Sequence, residues 1–346
     1  MIAATGILGR VEPTPGYTWD GLPIAPDEPH GATIVVRRPA GAHRQYLTLH
    51  RAHHGPQYAG DWAWTPPAGS RQPGEPVLAA ALRELAEETG LAADPADLRA
   101  HDLSGRWVQF GLDVPAGATV RLDAEHDQCA WLPAAEAIAR CQPAVVADGI
   151  RLADSVLAPD IAFRPLALAD LPALVSWQHA PHVAPWFPER LDLAAAERKY
   201  GPRIAGQSPT RVHVASVGGQ DCGFLQHYRV ADYPAYAAAT GEPAAVGIDY
   251  AIGVQTLTGR GLGPQLIWAY LRDVVLPAHP AVCRAVASPD VANGRSLRAL
   301  EKAGFVRTRE IEDEGEHSRE LLCVLDLAKF FTGRGLSGAG GPRPPG

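Results

Sequence analysis

Positive charge is scarce in this chain. Its 346 residues hold 31 Lys and Arg against 38 Asp and Glu, a formal net charge of −7. A phosphate backbone is held by surplus Lys and Arg, so this balance argues against a nucleic-acid partner and is compatible with a cationic one. Cysteine is sparse too: Cys129, Cys141, Cys222, Cys283 and Cys323 are widely spaced, odd in number and form no CxxC pair. That spacing excludes the usual zinc and dithiol redox motifs. Four of the five lie in apolar or strand-like surroundings, which predicts buried free thiols in a reducing, cytoplasmic setting. Long hydrophobic runs are missing, so no membrane span is expected. The opening run MIAATGILGRVEP has neither a basic n-region nor a long apolar stretch, which predicts no signal peptide. Internal repeats are absent as well.

What is present suffices for two domains. The length exceeds that of a typical single core, and hydrophobic residues make up 46% of the chain. The most informative run is residues 69–91, GSRQPGEPVLAAALRELAEETGL. Helical geometry brings residues three and four apart onto one face, so Glu84, Glu87 and Glu88 present their carboxylates side by side. Ala79, Leu82, Leu85 and Ala86 are expected on the opposite, buried side. Adjacent carboxylates repel at about a few tenths of a kcal/mol per exposed pair. A hard divalent cation reverses that penalty, and Mg²⁺ favours oxygen ligands with positions left for water and phosphate.

The run resembles the signature of Nudix hydrolases. Gly69 is followed, after five intervening residues, by Glu75, and Arg83-Glu84-Leu85-x-Glu87-Glu88-x-Gly90-Leu91 closes it. The resemblance implies an α/β/α sandwich and Mg²⁺ bound by Glu84, Glu87 and Glu88, with Glu87 and Glu88 serving the chemistry. It also implies that Arg83 braces the glutamates, that Glu125 donates a further ligand or base, and that the substrate is a nucleoside diphosphate derivative. A solvated acidic helix face and a non-catalytic Nudix fold are the bland alternatives. Trp62 and Trp64 either stack on a base or pack in the core or rim.

In this half, strands are predicted at Ala32–Arg37, Tyr46–His50, Val108–Leu112, Thr119–Leu122 and Cys129–Leu132. Helices are predicted at Glu75–Thr89, ended by Gly90, and at Pro133–Arg140. The pattern resets near residue 158, where Phe163-Arg164-Pro165-Leu166 opens a strand and Asp170 caps a helix through Trp177. The expected division is residues 1–157, residues 158–331 and a mobile Gly/Pro-rich tail, residues 332–346.

In the second half, the apolar strand Val246–Gly253 precedes Thr258-Gly259-Arg260-Gly261-Leu262-Gly263 and a helix from Gln265 to Val275. Glycines let backbone N–H groups approach a diphosphate, and a helix N-terminus adds about half a positive charge. A plain tight turn is the alternative. A strand over Val282–Ala287, then Asn293, then a helix ending Leu300-Glu301-Lys302-Ala303-Gly304-Phe305 follow. This order resembles the GNAT superfamily of acetyl-CoA-dependent N-acetyltransferases over roughly residues 161–330. It implies a mixed sheet with flanking helices, and acetyl-CoA held by Arg260, Gly261, Leu262, Gly263 and Asn293. The overall fold class is α/β (α+β).

His182-Val183-Ala184-Pro185-Trp186-Phe187, Gln226-His227-Tyr228 and Gly247-Ile248-Asp249 resemble aminoglycoside 6′-N-acetyltransferases. The resemblance implies that Asp249 takes the proton of an attacking amine; a strand-end carboxylate satisfied by backbone N–H groups is the alternative. Trp186 is either a floor beneath a sugar or core packing. Asp232 and Glu242 are the acidic residues of the 231–245 loop expected to meet a cationic, small-molecule amine acceptor. Leu300 stands where many GNATs carry a Tyr that protonates the leaving thiolate. Ser288 stands where the aminoglycoside enzymes have an acidic residue, with Asp290 two positions on. The acidic run 310–316 is either extra charge near the acceptor or a solvated hairpin. The expected function is bifunctional: Mg²⁺-dependent hydrolysis and acetylation of a small amine. The alternative is a siderophore, lysine or protein N-acyltransferase with a nucleotide-sensing Nudix module.

Overall fold

The computed structural model describes residues 16–18, 21–187, 189–312 and 319–331. The opening run, residues 313–316 of the acidic stretch and the tail 332–346 lie outside them. In the first half, β1 (Gly31–Ala40) and β2 (His43–Arg51) meet at a tight turn, with Ala40 opposite His43. Gly41 at that turn takes φ +62°, which only glycine adopts cheaply. β3 (Trp64–Thr65), β4 (Ala68–Ser70), β5 (Arg99–Asp102), β6 (Trp107–Asp113) and β7 (His126–Pro133) complete the sheet. Its order is β3-β2-β1-β6-β5, with β4 on β1 and β7 on β2. Alternation along β1 sends Ile34 and Val36 to one face and Val35 to the other. The first pair packs in a cluster with Val77, Leu78, Ala81 and Leu85 of α1 (Val77–Thr89). Val35 packs instead with Ala137 of α2 (Ala134–Arg140) and with Ile150 and Ala153 of α3 (Ala144–Ser155). Helices therefore cover both faces.

The second half builds a sheet in the order β13-β14-β12-β11-β10-β9-β8. The strands are β8 (Ile161–Pro165), β9 (Arg211–Val217), β10 (Gln220–Arg229), β11 (Val246–Ile252), β12 (Arg284–Ala287), β13 (Val306–Glu312) and β14 (Arg319–Asp326). On one face lie α4 (Leu171–His179) and α5 (Leu193–Ile204). A short helix, α6 (Pro234–Thr240), follows β10. On the other face α7 (Leu262–Tyr270) runs through a π-helical turn (Leu271–Val275) into α8 (Leu276–Ala278), beside α9 (Gly294–Lys302). α10 (Leu327–Phe330) closes the described chain.

One pairing decides where a ligand can enter. β11 and β12 are parallel and pair only at Val246↔Ala285 and Gly247↔Val286. Beyond Gly247, β11 pairs with β10 alone. The strands part there, and residues 248–252 leave one backbone edge unpaired by β12.

Several expectations need correcting. Thr119–Leu122 forms no strand, because the N–H of Arg121 goes to Thr89 O at the end of α1 (2.8 Å) and not to a neighbouring strand. The buried side of α1 is Val77, Leu78, Ala81 and Leu85, whereas Ala86 is exposed and Ala79 and Leu82 are only partly buried. Asp170 stands at the N-cap position of α4, but its side chain accepts from Ala167 N and Arg164 and from no N–H of that helix. Cys129 and Cys283 are exposed, while Cys141, Cys222 and Cys323 are buried free thiols. The cores are not separate either. One cluster runs from Ile34 and Phe110 in the first sheet to Leu266 and Trp268 of α7 and Leu300 of α9.

Candidate functional site

The acidic motif folds around a single guanidinium. Arg83 Nε and Nη2 donate to the two oxygens of Glu75 (2.9 and 3.0 Å). Its Nη1 donates to Glu84 Oε1 and Glu87 Oε2 (2.9 Å each), and Nη2 also reaches Ser70 O. All five N–H donors of the side chain are thereby used. A Cβ at Gly69 would overlap the Glu84 carboxyl, so a larger residue there would push that side chain out of place. Glu88 is 5% exposed and accepts from Ala68 N (2.9 Å).

Burial pushes the Glu84 carboxyl up, and the charges of Glu87 and Glu125 push it further against the lowering effect of Arg83. Burial raises Glu88 well above the usual carboxylate range, with Glu84 and Asp123 adding to the shift. A divalent cation fits this donor set: hard oxygen ligands whose negative charge the fold itself disfavours. As placed, no three carboxylate, His or Cys groups among the described residues already surround a common metal position. Glu87 is drawn to Arg83 and is 56% exposed at its side chain. His126 went unassigned in the sequence. It is buried, with Nε2 3.8 Å from Glu88 Oε1 and Nδ1 2.9 Å from Asp123 Oδ1. Trp64 is half-buried, with the His50 ring 4.9 Å and the Arg140 guanidinium 4.8 Å away, whereas Trp62 is half-exposed.

The second site lies where β11 and β12 separate. A cavity of about 610 Å³ opens there, and Asp249 and Tyr250 of β11 and Ser288 and Asp290 beyond β12 form part of its wall. Asp249 Oδ2 accepts from Gln226 Nε2 (2.7 Å), and Gln226 Oε1 accepts from Arg203 Nη1 (2.8 Å). The chain Arg203–Gln226–Asp249 fixes one carboxylate oxygen. Burial raises the Asp249 carboxyl above its ordinary value, with Gln226 and Arg203 opposing. A carboxylate so placed is a stronger base than an exposed Asp.

Trp186 lies on the cavity wall, 37% exposed, with Glu189 and Glu320 nearby on the same wall. Asp232 and Glu242 are not on that wall: Asp232 is exposed in a turn before α6, and Glu242 pairs with Arg284 (2.6 Å). The expectation that these two meet the acceptor is therefore corrected. Glu189 and Glu320 sit 131 positions apart in the chain, so no local motif could have grouped them with Asp249.

The glycine loop follows the end of β11. Gly259 and Gly261 both take φ +73°. Leu262 is buried, so only its backbone can serve a ligand. Arg260 O accepts from Leu157 N (3.0 Å), and Gly261 packs so closely on Val156 that a Cβ would overlap it. Asn293 caps α9, its Oδ1 accepting from Ser296 N (3.1 Å), and it also borders the cavity.

Comparison with known proteins follows this division. Residues 28–150 match the NUDIX domain family, and residues 167–313 match the acetyltransferase (GNAT) domain family. Aminoglycoside N(6′)-acetyltransferase type 1 of Klebsiella pneumoniae is 27% identical over 151 residues, 42% of this chain and 74% of that protein. The human 8-oxo-dGDP phosphatase NUDT18 is 39% identical over 77 residues, 20% of this chain and 24% of that protein. Among solved structures, aminoglycoside acetyltransferase AAC(6′)-Ib in complex with coenzyme A aligns at 25% identity and a TM-score of 0.44. That alignment covers 48% of this chain and 95% of the other.

Proposed function

The chain carries a NUDIX domain followed by an acetyltransferase (GNAT) domain, and from that premise we propose that it is a bifunctional enzyme. The second domain transfers acetyl from acetyl-CoA to a primary amine of a small, polycationic acceptor of the aminoglycoside type. The observation that carries this reading is Asp249, partly buried at the parting of β11 and β12 with one oxygen held by Gln226. An amine attacks a thioester only after losing its proton, and Asp249 receives it. Asp290 and Glu320 add negative charge to the cavity wall that would receive a cation, where Ser288 stands in place of an acidic residue; Glu189 on the same wall is paired with Lys199. Trp186 offers an apolar face for a sugar ring. Backbone N–H groups from Arg260 to Gly263, at the start of α7, hold the coenzyme's diphosphate.

The first domain hydrolyses a nucleoside diphosphate derivative. Glu84, Glu88 and Glu125 would hold Mg²⁺ together with Glu87, once Glu87 leaves Arg83. The ion supplies charge neutralisation on the diphosphate and a more acidic water. Arg83 holds Glu75 and Glu84 in place, and the Ala68 N–H orients Glu88.

Thiol release from acetyl-CoA over a panel of aminoglycosides and polyamines tests the first activity; the proposal expects release with at least one member. Magnesium-dependent phosphate release from nucleoside diphosphate derivatives tests the second, and Glu87→Gln with Glu88→Gln should abolish it. A second reading, in which the NUDIX half senses a nucleotide without cleaving it, draws on the core that both halves share. Calorimetry showing tight nucleotide binding without hydrolysis favours that reading.

A further inference from the structure

The acetyl-transfer reading leaves one step without a residue. When the C–S bond of the thioester breaks, its electron pair stays on sulfur, and Leu300 has no hydrogen to offer it. One helical turn earlier on α9, at the i−4 position that shares Leu300's face, stands Ser296. Ser296 is partly exposed and lies on the cavity wall with Asp249, Tyr250 and Leu300. Its Oγ is 2.7 Å from the Tyr250 hydroxyl, and Tyr250 OH also reaches Ser296 O (3.2 Å).

We propose that the Ser296 hydroxyl is the hydrogen-bond donor to the departing coenzyme A thiolate, and that Tyr250 is the residue that positions it. The inference rests on the acetyltransferase reading of this cavity. Tyr250 has one hydrogen to give: directed along the shorter contact to Ser296 Oγ, in place of the longer one to Ser296 O, it leaves the Ser296 hydrogen free to point elsewhere. Donation through two linked hydroxyls is cooperative. Ser296 also lies in the first turn of α9, where the helix dipole favours negative charge.

The step balances without another reactant. The ammonium gives one proton to Asp249, which passes it to solvent; the amine nitrogen then bonds to the acyl carbon, and the proton it sheds goes to Asp249 in turn. The C–S bond breaks, and sulfur leaves as a thiolate held by Ser296 Oγ–H. Asp249 returns its proton to solvent, and the thiolate takes one from solvent on release. Proton transfer from the Tyr250–Ser296 pair is not required: burial raises Tyr250 well above its ordinary value, while an unperturbed thiol ionises near ~8.5. The pair stabilises the anion by hydrogen bonding, as donors do in an oxyanion hole.

The test compares full-length wild type with Ser296→Ala, Ser296→Thr and Tyr250→Phe, using acetyl-CoA with the amine that wild type accepts. Coenzyme A affinity is measured in parallel by calorimetry. Ser296→Ala should lower kcat by about 10²-fold, with the KM for acetyl-CoA and the coenzyme A Kd changed less than about threefold. Ser296→Thr should recover most of the rate. Tyr250→Phe should lower kcat less, and the Tyr250→Phe/Ser296→Ala pair should fall no further than Ser296→Ala alone, because the two act as a unit. An unchanged kcat in Ser296→Ala, or a loss accounted for by weaker coenzyme A binding, overturns the proposal while leaving the acetyltransferase reading intact. If wild type binds coenzyme A but releases no thiol, either with any amine or by slow hydrolysis, that reading itself fails and the proposal with it.

Discussion

Glu88 is favoured by one backbone N–H and the charge of Arg51, and burial and two neighbouring carboxylates outweigh them. It is 5% exposed, its carboxyl is raised by burial, and Glu84 and Asp123 repel it. Glu88→Gln keeps the shape and the acceptor for Ala68 N–H while removing the disfavoured charge. The metal-free variant should therefore melt higher than wild type by a few degrees, yet lose the stabilisation that Mg²⁺ gives wild type, as scanning fluorimetry with and without Mg²⁺ can read. A lower melting point without metal would contradict the electrostatic account of this residue. The acidic motif was legible in the sequence because its members lie within twenty residues on one helix and its entry loop. The acceptor cavity was legible at Trp186, Gln226, Asp249, Ser288, Asp290 and Asn293, each picked out by a local motif. Glu189 and Glu320 reach it from distant segments, and Glu242, chosen for lying in a nearby loop, is committed to Arg284.

At the level of elements, the glycine loop separates two kinds of constraint. Gly259 and Gly261 share φ +73°, but a Cβ at Gly259 meets open space whereas one at Gly261 meets Val156. Gly259→Ala should cost only the left-handed backbone strain, about 1–2 kcal/mol. Gly261→Ala adds a clash that must move either α7 or the segment after α3. Coenzyme A affinity, measured by calorimetry, should fall at least about tenfold more for Gly261→Ala than for Gly259→Ala; equal losses would show that Val156 does not brace the loop. The β11 strand and the α7 and α9 helices were readable from apolar runs, glycines and the Asn293 cap. The parting of β11 from β12 was not, because strand register between segments some 35 residues apart leaves no local trace in composition. Thr119–Leu122 has strand-forming residues but spends a backbone N–H on the end of α1, a tertiary override of propensity.

Across the whole molecule, the two halves are joined by buried contacts. The Phe110 and Trp268 rings lie 5.7 Å apart, Trp268 stacks on Phe331 at 4.3 Å, and Arg272 Nη1 donates to Pro95 O and Leu98 O (3.1 and 3.2 Å). Length and composition predicted two cores, and they hold no information about whether such cores merge. Phe110→Ala removes a fully buried ring from the seam and should cost about 3–5 kcal/mol. It should lower the melting midpoint of both halves together, read by limited proteolysis on each side of residue 158. Retention of a native-stability acetyltransferase half would contradict a shared core.

Acid should act on the whole chain as well. Burial holds His101 and His227 down to about 3 and lowers His213 and His279. His101 and His227 stay neutral when folded down to about 3, while an unfolded chain protonates its imidazoles below about 6.5. Their contribution to stability is therefore present above that pH and is lost as pH falls toward 3. Glu84 and Glu88 act in the opposite sense, so a paired comparison isolates the histidine effect. Between pH 4 and 6, His227→Asn should reduce the slope of unfolding free energy against pH by about one proton, measured by urea titration. An unchanged slope would show that His227 titrates normally in the folded chain.

The central claim concerns Asp249, and amine-dependent thiol release from acetyl-CoA measures it most directly. With an aminoglycoside carrying a 6′-amine, wild type should release thiol in step with acetylated product, and Asp249→Asn should slow that release by about 10²–10⁴-fold while binding coenzyme A as tightly. Undiminished release by Asp249→Asn, or no release by wild type with any aminoglycoside or polyamine although coenzyme A binds, would contradict it.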